Sequence, residues 1–350
     1  MAPKLSSSHI FLIRKVIVYI ITFYLALTLI WLLPHLMPGD PVQEMALQVI
    51  AAGSGGTVIP GSGLTEVQIK RLYEFWVKKF GLDKPLIVQY MIFLKNCFTF
   101  DLGASIRHYP SQVKDLLILS LPWSLGLLVP AIIIGWILGN YLGAIAAYKR
   151  GIFDKVLYPF FLFTSQMPYY WFALILVYSL SYYQNIFPPG GGYTPTLTPS
   201  LSITFIVDFL KHYILPFLSI MMPYVGSEAI GMRSLILYEI NSDYANYFES
   251  LGFRDRKLLS YMFRNAVLPQ VTGLPLYFAS AFGGQLVAET VFGYPGIGSI
   301  IYGAVIAKDY PLIQGGFLMI VIVTLVGNFL MDIFYAYINP RVRIAYQGEA

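Results

Sequence analysis

This chain has little of the usual chemistry of catalysis: among 350 residues there is one cysteine, there are four histidines, and only 12% of positions carry a charge. The single thiol, Cys97, excludes an intrachain disulfide and any multi-cysteine metal site. His9, His35, His108 and His212 fall at no paired ligand spacing, and no His-Glu-x-x-His occurs. The glycine-rich stretch AAGSGGTVIPGSG (51–63) lacks the Gly-Lys-Ser/Thr ending of a phosphate-binding loop, so it reads as a flexible loop. A charge content about half that of soluble domains excludes an ordinary soluble fold. The formal net charge of +5 raises the question of nucleic acid. The basic residues flank apolar runs, however, and mark a membrane protein's cytoplasmic side instead.

Apolar residues make up 57% of the chain, and the mean hydropathy is +0.65. Several runs reach the roughly 20 residues a helix needs to cross a bilayer. The reading is an all-α polytopic membrane protein with six transmembrane helices, near 14–37, 117–148, 156–182, 212–238, 270–292 and 313–338. Lys4, Arg14 and Lys15 precede the apolar run 16–33, which is longer than a signal-peptide core and has no small-residue cleavage site after it. It is read as an uncleaved first span.

Loop charge sets the orientation. Lys149, Arg150 and Lys155 lie between spans two and three; Arg254, Arg256, Lys257 and Arg264 lie between four and five; Arg341 and Arg343 follow span six. The opposite loops hold only Lys211 and Lys308, so both termini are expected in the cytoplasm. The long segment 38–115 carries eight Lys/Arg up to Lys114, but long loops cross regardless of charge. It is expected to form a small, mostly helical external subdomain between spans one and two. A capping box at Thr65 and Gln68 opens a helix through Phe80 that Gly81 closes, and Pro85 starts another toward Phe98. The domain reading is 1–37 for the N-terminal segment and first span, 38–115 external, and 116–340 for a five-span core that contains a cytoplasmic loop at 239–268.

Gly135, Gly139 and Gly143 fall at four-residue spacing and make one smooth ridge for helix packing; Ala279 and Gly283 do the same in span five. Intramembrane acids are functional hypotheses by default. Glu228 is the deepest, and with Ser280 and Gln285 it is a candidate for a substrate pathway; the bland alternative pairs Glu228 with Arg233. Glu289 and Asp332 lie nearer the membrane faces, the latter within reach of Arg341. Three scattered acids make a poor proton relay. The loop after span four continues as a helix through LILYEINSDYANYFESLGF (235–253), turns at Gly252, and resumes as RDRKLLSYMFRNAV (254–267) until Pro269 ends it and starts span five. One reading is a solvated loop; the other is a rigid elbow that transmits force from a partner.

Along the chain stand MPGDP (37–41), FGLDKPLIVQY (80–90), FDLGAS (100–105), GAIAAYKRG (143–151), MPYYW (167–171), SDYANYFESLGF (242–253), FRNAVLP (263–269), AETVFGYPGIG (288–298), KDYPLIQGG (308–316) and NPRVR (339–343). In this order and spacing the sequence resembles the membrane subunits of ATP-binding-cassette importers of the dipeptide/oligopeptide permease type. The resemblance implies that the loop between spans four and five holds a coupling helix, within 243–258, that docks on an ATPase subunit. The family signature there is Glu-Ala-Ala, three residues, then Gly; Gly252 matches it, while Asn246, Tyr247 and Phe248 occupy the first three places. Asp243, Asn246, Tyr247, Glu249, Gly252 and Arg254 are the residues implied to meet the ATPase.

The resemblance also implies a multi-pass protein of the plasma or inner membrane that is not itself an enzyme and binds no cofactor. ATP and Mg would sit on two partner ATPase subunits. A homologous second permease, a copy or a different chain, would complete the pathway. An external binding protein would land on 38–115, 183–211 and 293–312. Lipid surrounds the chain and no nucleic acid is expected. The substrate stays open between peptide, oligosaccharide and nickel. The rival readings are a secondary transporter or channel with its own complete pathway and, more remotely, an intramembrane enzyme.

Overall fold

The structure is a computed structural model, and it describes residues 7–36, 74, 77–78, 83–149 and 151–338. These residues form helices and no strand; a lone antiparallel bridge joins Ala104 and Gln112. The helices are α1 (Ser7–Leu36), α2 (Leu86–Thr99), α3 (Val113–Lys149), α4 (Gly151–Ser165), α5 (Tyr169–Leu176, continued by a π-helical turn Val177–Tyr183), α6 (Ile203–Ile240), α7 (Asp243–Ser250), α8 (Asp255–Val291), α9 (Ile297–Ile306) and α10 (Tyr310–Ile338). The chain divides into two compact units, one built on Pro122–Ser299 and the end of α10, the other on Phe11–Leu121 and Ile300–Leu325.

Among the described residues, four stretches are long and apolar enough to cross a membrane: Lys15–Leu33, Val113–Lys149, Ile203–Ile240 and Tyr310–Met331. Their polar backbone groups are satisfied within the helix, which hydrocarbon requires. The expected third span departs from a straight rod. Asp154–Ser165 and Tyr169–Tyr183 meet at 106°, so it is a bent pair and makes a fifth span only if counted as one. The cause is local: Pro168 precedes α5 with φ −62° and ψ 138°, and the residue before a proline is pushed out of helical geometry. The expected fifth span lies inside α8 (Asp255–Val291), where the side chains of several residues between 275 and 284 lie outside the described residues.

Pro269 does not divide the cytoplasmic helix from that span, as the sequence reading expected: α8 runs unbroken from Asp255 to Val291. Met262 and Ala266 before the proline, and Val271 and Leu274 after it, are all buried. Packing on both sides outweighs the one hydrogen bond that proline removes. The capping box at Thr65 and the loop 51–63 lie outside the described residues, as does the expected helix to Phe80 except for residues 74, 77 and 78, which are helical; so do the side chains of Ala279, Gly283 and Asp332.

Helix α6 is the centre of the first unit, in contact with α4, α5 and α8. Glycine sets how closely its neighbours approach. A methyl group on Gly135 would come within 2.9 Å of the Tyr224 ring, on Gly139 within 2.6 Å of Glu228 Cβ, and on Gly143 within 2.2 Å of the Ala229 carbonyl oxygen. On the other flank, a methyl group on Gly226 of α6 would fall 2.7 Å from the Phe161 carbonyl oxygen of α4. In the second unit, Leu27 of α1, Cys97 of α2 and Leu318 of α10 form a buried cluster. Thr28 and Tyr90 share a 2.7 Å hydrogen bond beside it. Burial pushes the Cys97 thiol up to about 12, so it stays protonated and unreactive near neutral pH.

Gly143 faces backbone, which cannot swing aside as a side chain can. Gly143→Ala is therefore expected to destabilise the protein by about 1–3 kcal/mol. Gly126→Ala in the same helix meets nothing within 4 Å and is expected to be neutral or stabilising by up to about 1 kcal/mol. Thermal melts of the two purified variants, followed by intrinsic fluorescence, make the comparison; equal melts would remove close approach as the role of Gly143.

Candidate functional site

The loop between α6 and α8 is an ordered elbow. Helix α7 has an inner face of Tyr244, Ala245 and Phe248, one helical turn apart. These residues pack on a core of Ala144, Ala147, Met232, Ile236, Leu258, Met262 and Ala266. Away from that core, Asp243, Asn246, Tyr247, Glu249, Gly252 and Arg254 are all exposed. All six residues expected to meet the ATPase are thus exposed, while Phe248 packs against the core.

A Schellman motif closes α7. The Phe253 N–H donates to the Phe248 carbonyl at 3.2 Å and the Gly252 N–H to the Glu249 carbonyl at 2.9 Å. Gly252 occupies the left-handed position that this motif demands, with φ +73°. The accompanying apolar contact is the Phe248–Phe253 ring pair, centroids 5.0 Å apart, and Phe248 also stacks on Tyr261 at 5.6 Å. Glu239, at the end of α6, accepts hydrogen bonds from the Tyr244 hydroxyl and from Asn265 of α8. Burial, reinforced by the bond to Glu239, raises the Tyr244 phenol above its ordinary range. Three helices are thereby tied at one corner.

Arg233 does not pair with Glu228. Its guanidinium forms a two-pronged pair with Asp154 at the start of α4, 2.7 Å on each prong, and lies 4.3 Å over the Tyr158 ring. The one-turn spacing in α6 suggested Glu228 as partner; the fork geometry of arginine instead favours a carboxylate presented end-on by a neighbouring helix. Glu228 is half-buried and accepts from Asn140 Nδ2 at 3.1 Å. Near it, Tyr224 and Tyr277 stack at 3.5 Å, and Tyr277 shares a 2.5 Å hydrogen bond with Tyr169.

Gln285 is only 1% exposed, and its amide donates to Glu289 Oε1 at 2.6 Å and to the Ser124 carbonyl at 2.7 Å. It belongs to an internal knot around Glu289, which is fully buried. The same carboxylate accepts from the Ser124 hydroxyl at 2.6 Å and the Gly298 N–H at 2.7 Å. Ile297 N–H in turn donates to Ser124 Oγ at 2.8 Å. A methyl group on Gly296 would meet Glu289 Oε2 at 2.3 Å. These contacts explain the glycines of FGYPGIG: the loop closes on a carboxylate. The side chain of Ser280 lies outside the described residues.

The second unit holds a similar knot. Asp309 is fully buried and accepts from the Ser105 hydroxyl at 2.5 Å, from the N–H groups of Ile106 and Arg107 at 2.9 and 3.0 Å, and from Leu312 N–H at 3.2 Å. It caps α10 and fastens the turn after α2. Sequence reasoning quoted FDLGAS and KDYPLIQGG without seeing that they bind each other, and it missed Asp154, Asn140 and Ser124. Among the described residues no cluster of three His, Cys, Asp or Glu side chains is arranged to hold a metal.

The geometry is that of a helical membrane unit with an exposed elbow, and the comparisons agree. The family model for the binding-protein-dependent transport system inner membrane component matches residues 139–344. The oligopeptide transport system permease protein AppB of Bacillus subtilis is 31% identical over 274 residues, 77% of this chain and 84% of the relative. The dipeptide transport system permease protein DppB of Escherichia coli is 28% identical over 351 residues, 95% and 98% of the two chains. The di/tripeptide transport system permease protein DppB of Pseudomonas aeruginosa is 28% identical over 355 residues, 95% and 98%. The chain belongs to the inner membrane components of binding-protein-dependent transport systems, as a permease subunit of the ATP-binding-cassette type. Membership disfavours a self-contained secondary transporter or channel.

Exchanging Asp154 and Arg233 tests the ion pair. Either neutralisation, Asp154→Asn or Arg233→Gln, is expected to cost about 1–3 kcal/mol, because a half-buried charge loses its hydrogen-bonded partner. The double exchange should recover part of that loss in a thermal melt. Rescue by pairing Arg233→Glu with Glu228→Arg instead would contradict the geometry.

Proposed function

We propose that the chain is one of two homologous permease subunits in an ATP-driven importer of peptides. It crosses the membrane six times, counting the bent α4–α5 pair and α8, with both termini in the cytoplasm. An external binding protein delivers the substrate to 38–115, 183–211 and 293–312, and two ATPase subunits hold ATP and Mg. The peptide reading is supported by the relatives, whose names specify oligopeptide, dipeptide and di/tripeptide transport. Glu228 is the pathway residue of this proposal, together with Ser280; Gln285 contributes through the support it gives Glu289.

The observation that carries the coupling role is the two-sided build of α7. Its inner face is locked to α6 and α8, and its outer face offers Asp243, Asn246, Tyr247, Glu249 and Arg254 to a partner. A push on that face moves the ends of two long helices together, and such rigid-body transmission is the usual unit of coupled change. ATP binding and release on the partner would supply the push.

The test follows from the backbone of Gly252. No atom lies within 4 Å of a methyl group built there, so a substitution acts through the left-handed φ alone. Gly252→Val is strained by about 1–3 kcal/mol, whereas asparagine tolerates that region. In the reconstituted complex with its binding protein, Gly252→Val is expected to lose most peptide-stimulated ATP hydrolysis, and Gly252→Asn to keep most of it. Full stimulation with valine, at unchanged ATPase content, would remove the elbow from coupling. Orientation is checked separately in right-side-out vesicles. With Cys97 shielded, an impermeant maleimide should label Thr198→Cys and leave Ser250→Cys unlabelled until the membrane is opened. The reverse pattern would overturn the topology.

A further inference from the structure

The turn between α2 and α3 is held more firmly than a solvated loop requires. The Ser105 N–H donates to the Ser111 carbonyl at 2.9 Å, the Ser111 N–H to the His108 carbonyl at 2.8 Å, and the Val113 N–H to the Gly103 carbonyl at 3.0 Å. The His108 N–H donates to the Ser105 hydroxyl oxygen at 3.0 Å. That hydroxyl and the N–H groups of Ile106 and Arg107 all converge on the buried Asp309 carboxylate. Burying a carboxylate without a cation is costly. Here the cost is offset by donors that fix residues 105–111 in one conformation.

What this turn holds out is its tip. Arg107, His108, Tyr109 and Pro110 are all exposed, Tyr109 at 57%. The Arg107 side chain is itself fixed: Nη1 donates to the Gly303 carbonyl at 3.0 Å, which joins the turn to the end of α9. Within one helical turn of Gly303, Tyr302 is 54% and Ile306 67% exposed. The second unit thus presents two tyrosines, an isoleucine and an arginine on two segments linked to each other. Tyrosine and arginine carry a large share of the binding energy at protein interfaces, and parts already fixed lose little entropy when a partner arrives. Residues 102–114 and 300–308 contain Arg107, Lys114 and Lys308 and no carboxylate. The surface is therefore cationic and complements a partner that carries carboxylates. Rigid presentation favours a folded partner over a fluid lipid headgroup.

We propose that the turn 105–111, with Tyr302 and Ile306 at the end of α9, is the seat on this permease for an acidic surface of the external binding protein, with Tyr109 and Arg107 as its anchors; the proposal rests on the importer reading and orientation given above.

The test uses the assembled transporter in phosphatidylcholine nanodiscs and its fluorescently labelled, peptide-loaded binding protein, with the dissociation constant read by anisotropy. Tyr109→Ala and Arg107→Glu are each expected to raise that constant about tenfold or more, as loss of an interface anchor does. Arg107→Gln should raise it less than Arg107→Glu, and Arg107→Lys should keep most of the affinity. Added salt should weaken binding to wild type more than to Arg107→Gln. An unchanged constant for both Tyr109→Ala and Arg107→Glu would overturn the proposal. So would variants that bind the binding protein normally but retain less phosphatidylglycerol through purification; that outcome would assign the surface to anionic lipid. Wild-type transporter whose ATP hydrolysis is not stimulated by the binding protein would instead overturn the importer reading, and the proposal with it.

Discussion

Close approach between α6 and its neighbours is the constraint on which the first unit depends. Hydrocarbon offers no hydrophobic drive to bring two helices together, so contact must come from surfaces that fit. Gly143 against the Ala229 carbonyl and Gly226 against the Phe161 carbonyl leave no room for even one methyl group. With α6 set at those distances, Arg233 reaches Asp154, Asn140 reaches Glu228, and Glu239 at the foot of α6 reaches Asn265 and Tyr244. The polar links are placed by the apolar contact.

Three of the buried or half-buried carboxylates described here are neutralised in three different ways. Asp154 takes a guanidinium, Glu289 takes two side-chain donors and a backbone N–H, and Asp309 takes a hydroxyl and backbone N–H groups. Only the first involves a formal counter-charge. The other two spend neutral dipoles on closing a loop, which explains why their surroundings are rich in glycine and serine rather than lysine and arginine. Glu289 and Asp309 therefore read as structural fasteners, and Glu228, half-buried beside Asn140, stands apart from them.

Much of this was legible beforehand. Apolar runs gave the long helices, and four-residue glycine spacing gave the ridge on α3, because both depend on period alone. Gly252 stood out because a glycine between two amphipathic segments has few other uses. What could not be read was pairing across distance. Arg233 looked toward Glu228 because both lie on α6, whereas Asp154 is 79 positions away in sequence. Gln285 looked like a pathway group because polarity in a membrane span signals function, but polarity alone does not tell a lumen from a knot. The bend at Pro168 was equally hidden: hydropathy reports length and apolarity and carries no direction.

Helix α8 has a mechanical consequence. It comprises 37 residues without a break, which at 1.5 Å per residue makes a rod of roughly 55 Å. The elbow holds one end, and Glu289 sits near the other, bound to the loop that leads into α9. Between them Met262, Ala266, Val271, Leu274, Ala281 and Ala288 are buried, so the helix is held along its length as well as at its ends. The long unbroken helix thus joins the elbow at one end to the Glu289-bound loop at the other within a single element.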